Sequence, residues 1–258
     1  MKTQILLLAL FLLFFTSTLY GQVPKTNQIL ADFRTDKASV TPKISKATER
    51  MVLSKMFRRY LTDSNKCDSN FEPGNGNDYL AAARKAGQIV PSIVDSAQGS
   101  FTAPGQTQTA YVVSVSECNA SHADNFGTKR IAIFAGNQLV ADVDVDFKDS
   151  IIKKTDLNAD GVDELLMSSG YMGQGELVES AALLGFDNGK MHVIQDLGTV
   201  NDDSCASELP GSSARASVIS FGGITPGQMP KLRMDNYKTA CKGPRRWRFF
   251  STGKMPEQ

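Results

Sequence analysis

From Pro91 onward the chain alternates short runs rich in Val, Ile, Thr and aromatic residues with Gly, Asn, Asp and Pro, and it keeps that rhythm through 245–250. Such runs are too short for helices and are bounded by turn formers, so they predict an antiparallel meander. Strands are expected at 99–103, 109–117, 130–134, 138–147, 151–154, 164–168, 176–187, 190–197, 214–221, 231–237 and 245–250. Two hairpins have a specific cause. Asn188-Gly189 and Gly136-Asn137 each lie between apolar runs, and the two central residues of a tight hairpin must accept positive φ, which Asn and Gly do at least cost.

The residues before Pro91 differ in kind. Lys2, the apolar run Ile5 to Phe15 and the small, polar stretch Thr16 to Gly21 have the three-part form of a secretory signal peptide, with cleavage expected after Gly21. A membrane span needs roughly 20 apolar residues, about twice this run, and no Cys follows it to carry a bacterial lipid anchor. Residues 22–42 are polar and aperiodic and are expected to form a flexible leader. Ser45 can cap a helix in which Met51, Val52, Met56, Tyr60 and Leu61 recur at helical spacing, ending near 61–63. Breakers at Pro73, Gly74 and Gly76 predict a loop over 65–77, and a second helix is expected over 78–85, stopped by Gly87 and Pro91.

The expected fold class is therefore α+β: two N-terminal helices followed by an antiparallel β meander, sandwich-like or partial propeller-like. The expected divisions are 1–21, signal peptide; 22–42, leader; 43–90, a small helical segment; and 91–258, the β-rich part. The helices could also pack on one face of the sheet as part of a single domain.

Without Lys2, the 28 Lys and Arg become 27, matching the 27 Asp and Glu. Global charge thus points to neither nucleic acid nor a membrane surface. Four cysteines, Cys67, Cys118, Cys205 and Cys241, form an even set in an export context where disulfides persist. Three pairings are open, and sequence order favours Cys67 with Cys118 and Cys205 with Cys241. No Cys-x-x-Cys occurs, which argues against a zinc ribbon or a thioredoxin-like site.

One segment has nameable chemistry. Asp156-Leu157-Asn158-Ala159-Asp160-Gly161-Val162-Asp163-Glu164 carries oxygen side chains at its first, third, fifth and ninth places, Gly at the sixth and the Val162 carbonyl at the seventh. That set suits Ca2+, a hard cation taking about six to eight oxygens. An EF-hand would need flanking helices and Glu at the twelfth place, which here is Met167. Magnesium, which prefers a small octahedron and keeps its waters, fits less well. The plain alternative is an Asp- and Asn-rich turn without metal.

The motif resembles the calcium loop of FG-GAP repeats, the blades of integrin-type β-propellers. The resemblance is local and in single copy. It implies Asp156, Asn158, Asp160 and Glu164 as ligands, Gly161 as the turn glycine, and Leu165-Leu166-Met167 as the following strand. One copy does not supply the four or more blades, of about 40 residues each, that a propeller needs.

Other signals are weaker. Asp142, Asp144 and Asp146 alternate with Val143, Val145 and Phe147, the mark of a half-buried strand whose carboxylates face water or a basic partner. Lys242, Arg245, Arg246 and Arg248 surround Trp247; alternation with Phe249 suits a terminal strand, and anion or polysaccharide contact is the other reading. Residues 170–175 are glycine-rich without a following Gly-Lys-Ser/Thr, which predicts a mobile loop rather than a phosphate cradle. Asn119-Ala120-Ser121 is a glycosylation sequon.

The resulting expectation is a secreted or periplasmic, noncatalytic binding module with one structural Ca2+, meeting an extracellular protein or glycan. It would have no transmembrane segment after signal removal. The alternative is a secreted hydrolase of polysaccharide or ester, with Glu117, His122 and Asp124 as its site. A third option is sequestration of a partner by the acidic strand.

Overall fold

The computed structural model describes residues 27–35, 43–72, 78–120, 128–145, 149–207 and 209–253. Within them the chain is β-rich and its strands form two antiparallel sheets. The smaller is a meander of β2 (Ile89–Gly99), β3 (Gln108–Glu117), β4 (Thr128–Ala135) and β5 (Gln138–Asp144). The larger runs in chain order through β6 (Ser150–Thr155), β7 (Glu164–Gly173), β8 (Glu176–Asp187), β9 (Lys190–Asp203), β10 (Ser213–Phe221), β11 (Leu232–Ala240) and β12 (Arg248–Gly253). β1 (Gln28–Asp32) joins it along β10. Helices α1 (Lys46–Met56) and α2 (Asp78–Ala86) are the minor component.

The two-residue period of a strand explains the layering. On β7, Leu165 and Met167 point toward the small sheet and pack with Val112, Ile131 and Ile133. Leu166 points the other way and joins Leu30, Leu183, Ile219 and Phe221. Over its first half both faces of β7 are buried, so Leu165-Leu166-Met167 is a continuous apolar run rather than an alternation, whereas its second half is exposed. On β3, Val112 faces the large sheet, whereas Tyr111, Val113 and Val115 face Val52 and Leu53 of α1 and Ala83 of α2. Burying each such aliphatic side chain stabilises the fold by about 1.5–3 kcal/mol.

Several expectations need correction. The order of helices first and strands second is not borne out, because β1 precedes both helices. That strand lies in the supposed leader; five residues are too few to show a period, yet Leu30, Ala31 and Phe33 are buried. β2 occupies a stretch in which Pro91 had marked a break. Pro91 is tolerated because β2 is an edge strand, where a missing N–H costs no ladder bond on the open side. The strand expected at 99–103 is absent. There the amides of Phe101 and Thr102 donate to Gln108 Oε1 at 2.7 and 3.0 Å, and that of Ser100 to Asp163 Oδ2 at 2.8 Å. Helix α1 starts under Ser45, which accepts from the Thr48 amide, but stops at Met56 with Phe57 extended. The glycine-rich 170–175 stretch is no loop; β7 and β8 continue through it and turn at Gln174-Gly175, both at positive φ.

Both Asn-Gly-type hairpins are present. Asn188 and Gly189 have φ of 51° and 75°, and Gly136 has φ of 58°. A Cβ on Gly189 would also stand 3.2 Å from the Val140 carbonyl oxygen. Gly189→Ala is therefore expected to lower stability by about 1 kcal/mol or more; an unchanged urea midpoint would contradict this account of the turn. The disulfides are Cys67–Cys118 and Cys205–Cys241, with Cα separations of 5.5 and 5.2 Å. No helix among the described residues is long and apolar enough to cross a membrane.

Candidate functional site

The Asp156 loop is the connection of the β6–β7 hairpin, closed at its base by the pair Thr155 and Glu164. Its shape comes from its own oxygens. Asp156 accepts from the amides of Asp160 (3.1 Å) and Gly161 (2.9 Å), and Asn158 Oδ1 accepts from the Asp160 amide (3.1 Å). Asp160 accepts from the Val162 amide at 2.8 Å and from Asn158 Nδ2 at 2.8 Å. Ala159 and Gly161 take positive φ, 52° and 86°. A Cβ at Gly161 would also meet Pro104 Cβ at 3.0 Å, so glycine is required there on two counts.

Three neighbouring groups hold this turn in place. Leu157, fully buried, drives its side chain into the core of the large sheet. The Asn158 carbonyl accepts from the Gly227 amide at 2.7 Å. Asp163 turns away from the loop to accept from the Ser100 amide and to pair with Lys154 at 3.3 Å. Gly99 makes that possible: a Cβ there would lie 2.5 Å from Asp163 Oδ2. Leu157, Asp163 and Gly99 were not singled out from sequence. Leu157 alone left a trace, as the apolar residue among oxygens.

Glu164 is the electrostatic centre. It is 4 % exposed, and its Oε2 accepts from the Leu157 amide at 2.7 Å. Burial pushes its carboxyl up to about 7; the Leu157 amide opposes that rise, and the negative charges of Asp160 and Asp156 add to it. Several acids elsewhere have cations: Asp142 and Asp144 share Arg130, Asp203 has Arg245 and Asp235 has Arg233. No Lys or Arg pairs with Asp156, Asp160 or Glu164 among the described residues.

The donor set fits a hard cation by chemistry, being all oxygen: three carboxylates, the Asn158 amide and the Val162 carbonyl. The carboxylates are engaged with loop amides, and among the described residues no three His, Cys, Asp or Glu side chains are gathered as a metal-holding group. Beside the loop lies a cleft of about 530 Å³. Asn158, Asp160 and Glu164 form one wall, and Asp187, His192 and Val193 of the β8–β9 hairpin the other. His192 Nδ1 stands 3.3 Å from Asp187 Oδ2.

The remaining candidates are scattered. Glu117 is buried at the end of β3, where burial raises its carboxyl despite the charges of Arg84 and Lys129. His122 and Asp124, its expected partners, lie outside the described residues, as does Asp146. Asp142 and Asp144 are bound at 2.7 and 2.5 Å by Arg130 of the adjacent strand, so these two carboxylates have a partner within the sheet. The Asn119 side-chain amide donates to the Asp68 and Phe71 carbonyls, both at 2.8 Å. Trp247 packs against the core, and β12 begins only at Arg248 rather than at Arg245. Compared with protein-family models, curated proteins and solved structures, the chain matches none.

Proposed function

We propose that this chain is a secreted, calcium-binding, β-rich protein, a noncatalytic extracellular binding module in which one structural Ca2+ is held by Asp156, Asn158, Asp160, Glu164 and the Val162 carbonyl. The observation that carries this reading is the charge imbalance in one turn: three carboxylates, one of them buried, without a cationic side chain paired to any of them among the described residues. The single-copy FG-GAP-type motif on a sandwich-like frame supports it. So do the two disulfides and the signal-like leader. Bound calcium would neutralise the turn and fasten β6 to β7.

Thermal melts of the oxidised protein from Gln22 onward, in calcium, magnesium and chelator, test the proposal. Calcium at a hundredfold over its Kd should add about 2.7 kcal/mol, or roughly 5–11 °C for a chain of this size. Magnesium should give less. Asp160→Ala is expected to lose the calcium increment and to melt close to or slightly below the parent in chelator, where relief of charge repulsion on Glu164 offsets the lost bonds to the Val162 amide and Asn158. Equal melting of the parent in calcium and chelator would return the loop to the status of an acidic turn.

A further inference from the structure

We propose that the β10–β11–β12 end of the large sheet is a binding site for an acidic polysaccharide, one bearing sulfate or carboxylate groups. Strand register sets the charges abreast. Arg215 of β10 stands opposite Lys238 of β11, and Lys238 stands opposite Arg248 of β12. Side chains directly opposed on neighbouring strands lie about 4.5–5.5 Å apart at Cβ, where like charges oppose folding. A fold that needed this face only as a surface would gain by placing a carboxylate among them.

Asp202 of β9 stands opposite Arg215 on its other side without forming an ion pair with it, and among the described residues no carboxylate stands opposite Lys238 or Arg248. Lys238, Lys242, Arg246 and Arg248 line a concavity of about 630 Å³ whose wall, among the described residues, holds no Asp or Glu. None of these four, nor Arg215, forms an ion pair among the described residues, whereas nearby Arg245 and Arg233 are paired with Asp203 and Asp235. Thr239, buried, accepts from the Arg246 amide at 3.0 Å and so fixes the rim of the cavity. Ser212 and Ser213 add polar groups to the wall.

Aromatic surface completes the site. Phe249 and Phe250 are 58 % and 59 % exposed, unusual for phenylalanine, and both border the cavity. Phe249 is held edge-on against Tyr237 at 6.0 Å, and the Arg215 guanidinium lies 5.8 Å from the Phe250 ring centroid. A pyranose presents C–H faces to such rings while its sulfate or carboxylate meets guanidinium and ammonium groups. On the reading of an exported, disulfide-bonded protein, the polyanion at hand is an extracellular polysaccharide rather than nucleic acid. The cations also line a hollow rather than a broad apolar face of the kind that enters a bilayer.

Titration calorimetry of the oxidised protein at 50 mM salt, with a heparin octasaccharide, a polygalacturonate oligomer, neutral dextran and phosphatidylglycerol vesicles, tests this. At least one acidic oligomer should bind, dextran should not, and affinity should fall steeply by 200 mM salt. Lys238→Ala with Arg248→Ala should weaken binding tenfold or more while the melting temperature holds or rises, because like-charge repulsion is removed. Arg246→Gln, outside the strands, and Phe250→Ala provide independent variants, each expected to weaken binding severalfold. Absence of binding by both acidic oligomers overturns the proposal. So does binding that the variants leave unchanged, or association confined to phosphatidylglycerol vesicles.

Discussion

Removing the Cys67–Cys118 bridge by paired alanine substitution should lower stability by about 4 kcal/mol, which for a chain of this size is a fall of roughly 8–16 °C in melting temperature. The bridge spans a sequence separation of 51, and closing a loop of that size in the unfolded chain removes entropy that the folded state does not need. In the fold it ties the connection after α1 to the end of β3. Hydrogen bonds from the Asp68 amide to Gln88 Oε1 and from the Cys118 amide to the Gln88 carbonyl work at the same junction. Alanine suits Cys118, which is 2 % exposed, better than a hydroxyl would. The Cys205–Cys241 bridge, with a separation of 36, should cost nearly as much by loop closure alone. Urea unfolding of the two paired variants separates the contributions. Similar losses mean that the unfolded chain dominates, and a markedly larger loss for the first means that its packing adds. A loss under about 1 kcal/mol for Cys67→Ala/Cys118→Ala would contradict the account.

What could be seen in the sequence follows a physical pattern. β8 was readable end to end because it lies between two turn signals, and the Asn188-Gly189 turn because its backbone demands those residues. β1 and β2 were not. β1 is five residues long and depends on β10, more than 180 positions away, for its partner; Pro91 obscured β2 because edge position is a tertiary property. The candidate site divides in the same way. The oxygen ligand pattern is local, so Asp156, Asn158, Asp160 and Glu164 were legible. The burial of Glu164 and the anchoring of Asp163 to Ser100 arise only when β2 is laid beside the β6–β7 hairpin. The cation row of β10, β11 and β12 was hidden for the same reason, since Arg215, Lys238 and Arg248 meet only through register.

In chelator, the protein should melt higher as pH is lowered from 8 toward 5, and Glu164 sets the sign. Its folded carboxyl titrates near 7 against an ordinary value of 4.5. Below 4.5 it is protonated in both states and its contribution is fully present. As pH rises through 7, the folded state loses a proton from a buried site, and that contribution is lost. Allowing for water at the loop, the change is about 1–2 kcal/mol, or roughly 2–8 °C. Calcium reverses the preference. It needs the carboxylate, so its binding displaces the proton, and the increment from calcium should be largest at pH 8 and shrink below pH 7. Glu164→Gln keeps an oxygen for the Leu157 amide and removes the buried charge. It should melt above the parent in chelator at pH 8, lose most of the pH dependence there, and give up the calcium increment. Melts at several pH values, with and without calcium, measure all three effects. A parent curve in chelator that is flat between pH 5 and 8 would remove Glu164 as a buried, proton-hungry carboxyl. A Gln variant still stabilised fully by calcium would place the ion elsewhere.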